Sequence, residues 1–446
     1  MTDVSAPKAN FHINAISNEA KCQSLKDVHC DVGYLQPREQ HQLGQFLYDF
    51  RDLFAKDGDK PGRTTEVEHR IDLVPGSRPF KLPLRRVPLH LQGEVDNQVG
   101  DMLSADIIEP SSSEFSSPPV LVRKKDGRIR FCVDYRKLNG MTIKDSYPLP
   151  RIDDALDALG PKARYFSTLD LAMGYYHVPL DVRDRDKTAF PTRQGLFQFK
   201  VMPFGLCNAP GVFQRLMERV LSRLNWKDCL VYIDDVLVWS NSFEEHMRKL
   251  NEIFTIFRRT GLKLKTAKCN IVCSKVQFLG HLISSNGLAM DPARVQAISK
   301  MPRPTSRDEL VSLLGLLSYY RRFIKDLASV DGPLLALTSG PVFSWSGACE
   351  DAFEQLKQTI SRDVVLAFPD TSCEFIVDTD ASNRGIGGVI SQLDGGERER
   401  PVAFASRTLS ERERNYPTME KECLAVVWCD GSVPSVSVWW KIHLAH

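Results

Sequence analysis

Tyr232-Ile233-Asp234-Asp235 stands between two apolar runs of β type, Cys229–Ile233 and Val236–Trp239. Two adjacent carboxylates suit a hairpin turn poorly, since Asn-Gly or Asp-Gly would fit better. They also repel each other, which invites raised pKa values. A divalent cation would remove both objections. Asp-Asp alone is commonly a solvated acidic turn, but apolar flanks on both sides argue against that reading here. A second β-type run, Tyr165-Phe-Ser-Thr-Leu-Asp170, ends in another carboxylate 64 residues before Asp234, which leaves room for a helix and strands between them. Three carboxylates converging on one sheet would hold two Mg²⁺ ions, hard cations that prefer oxygen ligands and keep waters or phosphate oxygens. Two such ions about 3.5–4 Å apart can activate a hydroxyl and stabilise a departing pyrophosphate.

Outward from these carboxylates the pattern stays mixed. VLVRKK and RIRFCVDY, from Val120, predict two strands joined at Asp126-Gly127, a strong hairpin signal. Helices are predicted over 90–108, 151–159, 209–224 and 243–260, and residues 291–337 read as mainly helical, with Leu313, Leu314, Leu316, Leu317, Tyr320 and Phe323 as an apolar face. A short helix is also predicted near Gln40–Phe54. The Pro-rich stretch from Leu73 to Leu84 cannot be a long helix. At 374–392 a new hairpin begins, and 416–428 has a final helical pattern. Past Trp428, Gly431 and Pro434 are expected to break that helix.

Composition sets outer limits. The chain has 446 residues, 42% hydrophobic and 26% charged, ordinary for folded domains and unlike a mainly disordered protein. No run of eighteen apolar residues is present, and the first residues lack the basic-then-apolar order of a secretory signal. The formal charge is only +2, but charge is uneven: from Arg123 to Arg151 there are nine Lys/Arg against three Asp/Glu. Local excess matters more than the total for a nucleic-acid partner. The 11 cysteines form no repeating framework and read as reduced, packed thiols. Cys22 and Cys30 carry no signal. Cys269 with Cys273, and Cys423, Cys429, His443 and His446, lack tight zinc-finger spacing.

A set of words in fixed order now becomes legible: LVRKKDGRIRFCVDYRKLN at 121–139, STLDLAMGYYHVPL at 167–180, TAFPTRQGLFQFKVMPFGLCNAP at 188–210, VYIDDVLVWS at 231–240, then LKLKTAKCNI and VQFLGHLIS within 262–284. SLLGLLSYYRRFIKDLA and TDAS follow. The chain resembles the reverse transcriptases of gypsy-class LTR retrotransposons over roughly residues 40–428. The resemblance implies an α+β right-hand polymerase of fingers, palm and thumb, followed by a partial α/β ribonuclease H-like domain. The expected limits are 1–60 for an N-terminal linker region, 61–285 for fingers and palm, 286–365 for thumb and connection, 366–428 for the partial ribonuclease H-like domain, and 429–446 for an aberrant tail.

The resemblance also assigns roles. Asp170, Asp234 and Asp235 match the polymerase carboxylates that hold two Mg²⁺ ions, with Mn²⁺ as an alternative. Lys124 and Arg130 match the triphosphate-binding pair, Lys as a point charge and Arg as a planar grip. Tyr175 matches the aromatic gate that admits deoxyribose over ribose, although a core tyrosine is the plainer reading of that residue alone. Phe204, Gly205 and Asn208 match the loop beside the nascent base pair, and Lys268 and Gly280 fall in segments that grip the primer end. His177 departs from the usual wording after the first Asp. The implied partners are an RNA template, a DNA primer, RNA–DNA hybrid, dNTPs and other Pol-derived proteins, without a membrane. The implied location is intracellular, a cytoplasmic virus-like particle with a nuclear stage. In the ribonuclease H-like segment the resemblance assigns Asp380 and Glu422, with Asp378 and Glu420 as alternatives by adjacency. The family's nuclease site needs a further Asp. From Cys423 to His446 the sole carboxylate is Asp430, so weak nuclease activity is expected. No Asp-Thr-Gly or Asp-Ser-Gly of an aspartic protease occurs. The competing reading is a folded but inactive nucleic-acid-binding remnant, which the intact Asp170/Asp234/Asp235 set opposes.

Overall fold

Leu43, Phe46 and Leu47 lie three and four residues apart on helix α1 (Pro37–Asp49), so one face of that helix is apolar, and it is buried. This corrects the expectation of a linker over residues 1–60: the described part of that segment is built into a core. The computed structural model describes residues 28–31, 33–55, 59–83, 86–123, 127, 129–340, 342–394 and 398–432, the last three by backbone alone. Lys124, Asp126, Cys22, His443, His446 and the tail from 433 lie outside the described residues.

The chain divides into two units, Met1–Pro150 with Tyr165–Cys273, and Arg151–Arg164 with Ser274–His446. The division at Cys273 falls before the expected limit at 285, because the strands just after Cys273 pair among themselves. In the first unit, β1 (Pro119–Arg123) and β2 (Ile129–Val133) form the expected antiparallel hairpin, with Arg123 opposite Ile129. The central sheet is antiparallel, in the order β6-β3-β5-β4, where β3 is Tyr165–Asp170, β4 Cys229–Tyr232, β5 Asp235–Ser240 and β6 Asn270–Cys273. Val236, Leu237 and Val238 are fully buried, as a short continuous apolar run predicts for a strand covered on both faces.

Two helices of this unit matter for the site. Helix α2 (Ala209–Val220) buries Phe213, Gln214, Leu216 and Met217. Helix α3 (Phe243–Thr260) follows local rules closely. The Ser242 hydroxyl accepts the Glu245 N–H, Glu244 and Glu245 lie in its first turn, Arg258 and Arg259 in its last, and Gly261 closes it in the left-handed region. The Phe254 ring on α3 gathers Phe46, Phe50 and Phe54, with centroids 5.1, 5.4 and 5.9 Å away.

In the second unit, β7 (Lys275–Phe278), β8 (His281–Ser284), β9 (Gly287–Met290) and β10 (Val365–Leu366) form an antiparallel sheet in that order. Helix α4 (Arg307–Tyr319) buries Leu310, Leu313 and Leu317, and Tyr320 and Phe323 follow them into the interior. Helix α5 (Gly347–Ile360) buries Ala352, Phe353, Leu356 and Ile360. Arg322 donates to Asp157 at 2.8 Å and so ties the short helix Ile152–Asp157 to this unit. A second sheet, β11 (Ile376–Ala381), β12 (Gly385–Leu393) and β13 (Glu399–Thr408), carries helix α6 (Thr418–Ser432). The expected break of this helix before Gly431 is not seen. Ala425 and Cys429 are buried, and one glycine in a helix costs only about 1 kcal/mol. Among the described residues no helix is long and apolar enough to cross a membrane.

The Phe cluster makes a stability prediction. Phe254→Ala should lower unfolding free energy by about 3–5 kcal/mol, the usual cost of emptying a buried aromatic position. Equilibrium denaturation measures it. A loss below about 1 kcal/mol would show that α1 is not held by this ring.

Candidate active site

The register of the central sheet sets Asp170 directly opposite Asp235, so the ends of β3 and β5 present two carboxylates side by side. Asp234 occupies the turn between β4 and β5, where Tyr232 pairs with Asp235. A two-residue hairpin needs a left-handed first residue, and Ile233 takes that role at φ +55°. For a β-branched residue this is strained backbone, and such strain persists only when the surroundings hold it. Gln214, fully buried on α2, does so. Its Oε1 accepts the Ile233 N–H at 2.7 Å, and its Nε2 donates to the Val231 carbonyl at 3.2 Å. Glu218 accepts from the same amide at 2.7 Å and also takes the Tyr147 hydroxyl. Sequence reasoning missed Gln214; the available signal was a glutamine on the apolar face of the helix predicted at 209–224.

Charge is crowded here. Burial, and then the charges of Asp234 and Asp170, push Asp235 up to about 6. Burial likewise raises Asp170, against the pull of Lys268, whose Nζ lies 2.6 Å from Asp170 Oδ2. Lys268 is raised in turn: burial alone would lower it, but its hydrogen bond to Asp170 and the three carboxylate charges prevail. Three carboxylates against the ammonium of Lys268, with Lys265 also near Asp170, leave a surplus of negative charge, a donor set of hard oxygens that fits divalent ions. Among the described residues no three His, Cys, Asp or Glu side chains close around a single point. Hard Mg²⁺ does not require that, since it keeps waters and substrate oxygens in its shell.

The single-turn helix Gly174–His177 brings the aromatic residues in. A Cβ on Gly174 would lie 3.4 Å from the Asp234 Cβ and 3.3 Å from the Phe213 ring, so the backbone approaches the carboxylate turn closely. Tyr175 therefore lies beside Asp234. Burial and that charge push its phenol up to about 12. Its half-buried ring packs on Phe204 and Phe213, with centroids at 5.1 and 5.5 Å. The Arg130 guanidinium lies over the other aromatic, 5.5 Å from the Phe204 centroid. Gly205 takes φ +96°, and its carbonyl accepts from Asn139 at 2.8 Å. Asn208 bonds Asp145 N–H and the Ile143 carbonyl, so its amide shapes the loop. His177 is a buried neutral histidine, lowered to about 4 by burial, between Gly174 O and the Lys263 N–H. Lys124 is outside the described residues. Gly280 lies in the second unit, where its carbonyl accepts the Tyr320 hydroxyl at 2.7 Å.

The nuclease candidates are arranged differently. Thr379 pairs with Gly388, where a Cβ would lie 2.5 Å from Cys429 Sγ on α6, so that face of β11 meets the helix. Strand alternation turns Asp378 and Asp380 to the opposite face, with Asp380 beside Gly387 and exposed. Glu422 is half-buried on α6, and Glu420 is exposed. Asp380 lies at the end of β11 and Glu422 in the first turns of α6, both in the second unit. Cys269 and Cys273 are buried free thiols, Cys423 is exposed and Cys429 buried.

With this geometry established, comparison with known proteins is informative. Residues 122–283 match the family "Reverse transcriptase (RNA-dependent DNA polymerase)", and residues 345–432 match "RNase H-like domain found in reverse transcriptase". The chain belongs to the gypsy-type reverse transcriptases. It is 37% identical over 421 residues to the retrovirus-related Pol polyprotein from transposon 297 of Drosophila melanogaster, covering 93% of this chain and 39% of that one. It is 38% identical over 359 residues to the polyprotein from transposon gypsy of the same species, covering 76% and 34%. It thus spans well under half the length of these relatives. Among solved structures it is similar to a foamy viral protease-reverse transcriptase in complex with double-stranded DNA, at TM-score 0.84 and 21% identity, covering 96% of this chain and 74% of that one. That likeness gives the α+β right-hand polymerase fold with a ribonuclease H-like domain. In the sequence resemblance the central sheet corresponds to the expected palm and the β1–β2 hairpin to the expected fingers. Reverse transcriptases and RNase H-like domains generally depend on divalent metal.

Asp235 supplies a pH test of the site. A carboxyl whose pKa rises on folding stabilises the fold fully below its unfolded value and loses that contribution as pH rises through the folded value. Asp235 should therefore lower stability progressively between about pH 4 and pH 6. Asp235→Asn should raise the melting temperature at about pH 8 without divalent metal and change it little at about pH 4. Thermal melts at the two pH values check this. An equal change at both would mean Asp235 is not under charge stress.

Proposed function

We propose that this chain is an RNA-directed DNA polymerase that extends a DNA primer on an RNA template with dNTPs. The observation that carries the reading is the cross-strand pair Asp170–Asp235 with Asp234 in the adjoining strained turn. In this reading Asp170, Asp234 and Asp235 hold two Mg²⁺ ions, with Mn²⁺ as an alternative. When bound, such ions lower the pKa of the primer hydroxyl and offset charge on the leaving pyrophosphate. Arg130, over the Phe204 ring, offers its guanidinium N–H groups to the triphosphate. Tyr175, braced by Phe204 and Phe213, forms a rigid wall beside Asp234 against which a 2′-hydroxyl would clash. Lys124 serves as the second triphosphate contact. The solved relatives bound to double-stranded DNA and to RNA/DNA hybrid support a duplex partner. The pairing of carboxylates favours polymerase chemistry at this site.

Primer extension on an RNA template with dNTPs and Mg²⁺ tests the reading. Asp170→Asn and Asp234→Asn should each lower extension by more than about a hundredfold, exceeding the 10–100-fold usual for groups that merely support metal ligands. Duplex binding should survive, because it rests on many separate phosphate contacts. Extension by either variant at the wild-type rate would overturn the assignment.

The gate is tested separately. Tyr175→Ala should raise ribonucleotide incorporation relative to deoxyribonucleotide in single-nucleotide extension. An unchanged ratio would return Tyr175 to core packing with Phe204 and Phe213.

A further inference from the structure

Behind the palm, on the side away from the carboxylate turn, His246 of α3 is completely buried between two serines. Its Nε2 lies 2.7 Å from Ser167 Oγ on β3, and its Nδ1 lies 2.9 Å from Ser240 Oγ at the end of β5. Two further bonds favour one set of proton directions. The Val272 N–H donates to Ser167 Oγ at 2.9 Å, and Ser240 Oγ donates to the Ser242 carbonyl at 2.9 Å. Ser240 has used its proton, so it must accept from His246 Nδ1–H. His246 Nε2 is then bare and accepts the Ser167 hydroxyl proton. The opposite tautomer would leave the Ser242 carbonyl without that donor and the Ser167 proton without this acceptor. Burial, and then the positive charge of Lys249, lower His246 to about 3 and keep it neutral, although Glu245 opposes them. Lys249 and Glu245 lie on α3 itself, and from β3 the Tyr165 ring faces the imidazole at 6.3 Å.

This relay touches the three strands that build the site. Ser167 lies three residues before Asp170 on β3, and Ser240 five residues after Asp235 on β5. Val272 lies at an irregularity in β6, between the pairs Asn270–Thr168 and Cys273–Phe166, at φ +53°. A β-branched residue there is strained, and the Ser167 hydroxyl is what takes its N–H. Lys268, which meets Asp170, lies two residues ahead of β6. A slip of one residue in β6 would move Lys268 by about 3.3 Å along the strand, enough to part it from Asp170.

We propose that His246 is a positioning residue of the polymerase: through Ser167 and Ser240 it locks β3 to β5 and fixes the β6 bulge, and so sets where Lys268 meets Asp170. The inference rests on the polymerase reading. Extension by the wild-type chain tests that reading; the comparison of variants with wild type tests this one. The variants are Ser167→Ala, which removes the hydroxyl between His246 and Val272, Ser167→Thr, which keeps it, and His246→Phe. Pre-steady-state single-nucleotide incorporation separates rate from active fraction. Ser167→Ala and His246→Phe should lower the rate per active site about tenfold or more, with the apparent dNTP affinity within about twofold, and Ser167→Thr should recover most of the rate. A residue that only supports folding would lower the burst amplitude and leave the rate unchanged, and that result would overturn the proposal. Nitrogen NMR of the wild-type chain gives an independent readout even if His246→Phe does not fold. His246 should show the neutral Nδ1–H tautomer from about pH 5 to about pH 8, where an ordinary histidine titrates. A titrating His246 or the other tautomer would also overturn it.

Discussion

The antiparallel pairing of β3 with β5 is the constraint on which the site depends. It sets Asp170 against Asp235 on a half-buried sheet end and leaves Asp234 in the adjoining turn. Like charges at that spacing are unfavourable in water and more so where water is partly excluded. The fold tolerates them because the strands beneath are buried and cannot slip: Val236, Leu237 and Val238 allow no exposure on either face. The stress shows in the raised Asp235 and Asp170 carboxyls and in the Lys268 ammonium drawn against Asp170. A site with surplus negative charge is suited to divalent ions and the phosphates they accompany.

Two buried polar networks hold this arrangement from behind. Gln214, backed by Glu218, satisfies the backbone of the strained Ile233 turn from helix α2. His246, between Ser167 and Ser240, spans the strands from helix α3. Buried polar groups are costly when unpaired and rigid when fully paired. Both networks are fully engaged around the central residue, and both act on backbone rather than on substrate. The chemistry therefore rests on groups that never touch it.

Much of this was legible beforehand because the relevant signals are local. The apolar runs flanking Asp234-Asp235 and ending at Asp170 matched the strands, and the helical pattern over 243–260 matched α3, whose Ser242 cap, acidic first turn and Gly261 are local as well. Arg130, Tyr175, Phe204 and Gly205 came through ordered resemblance, and the structure gathers all four within the first unit. What escaped depends on distant contacts. The apolar face of the short helix expected near Gln40–Phe54 is legible, but its burial depends on the distant Phe254 ring, so residues 1–60 read as a linker region. The strands β7 to β10 have at most four residues each, too few to carry a periodic signal. Gln214 and His246 have no signature beyond being polar on an apolar helix face. Gly431 misled in the other direction, because packing of Ala425 and Cys429 outweighs the weak intrinsic penalty of glycine.

The register of β3 and β5 forces the carboxylates of the central sheet into charge competition that a divalent ion would relieve. The most direct measurement is a carbon NMR titration of aspartate carboxyls in the chain, without and with Mg²⁺. Without metal, the Asp235 carboxyl should titrate at about 6, and Mg²⁺ should move its midpoint down toward ordinary aspartate values. A carboxyl that titrates as an ordinary aspartate and ignores Mg²⁺ would contradict the account.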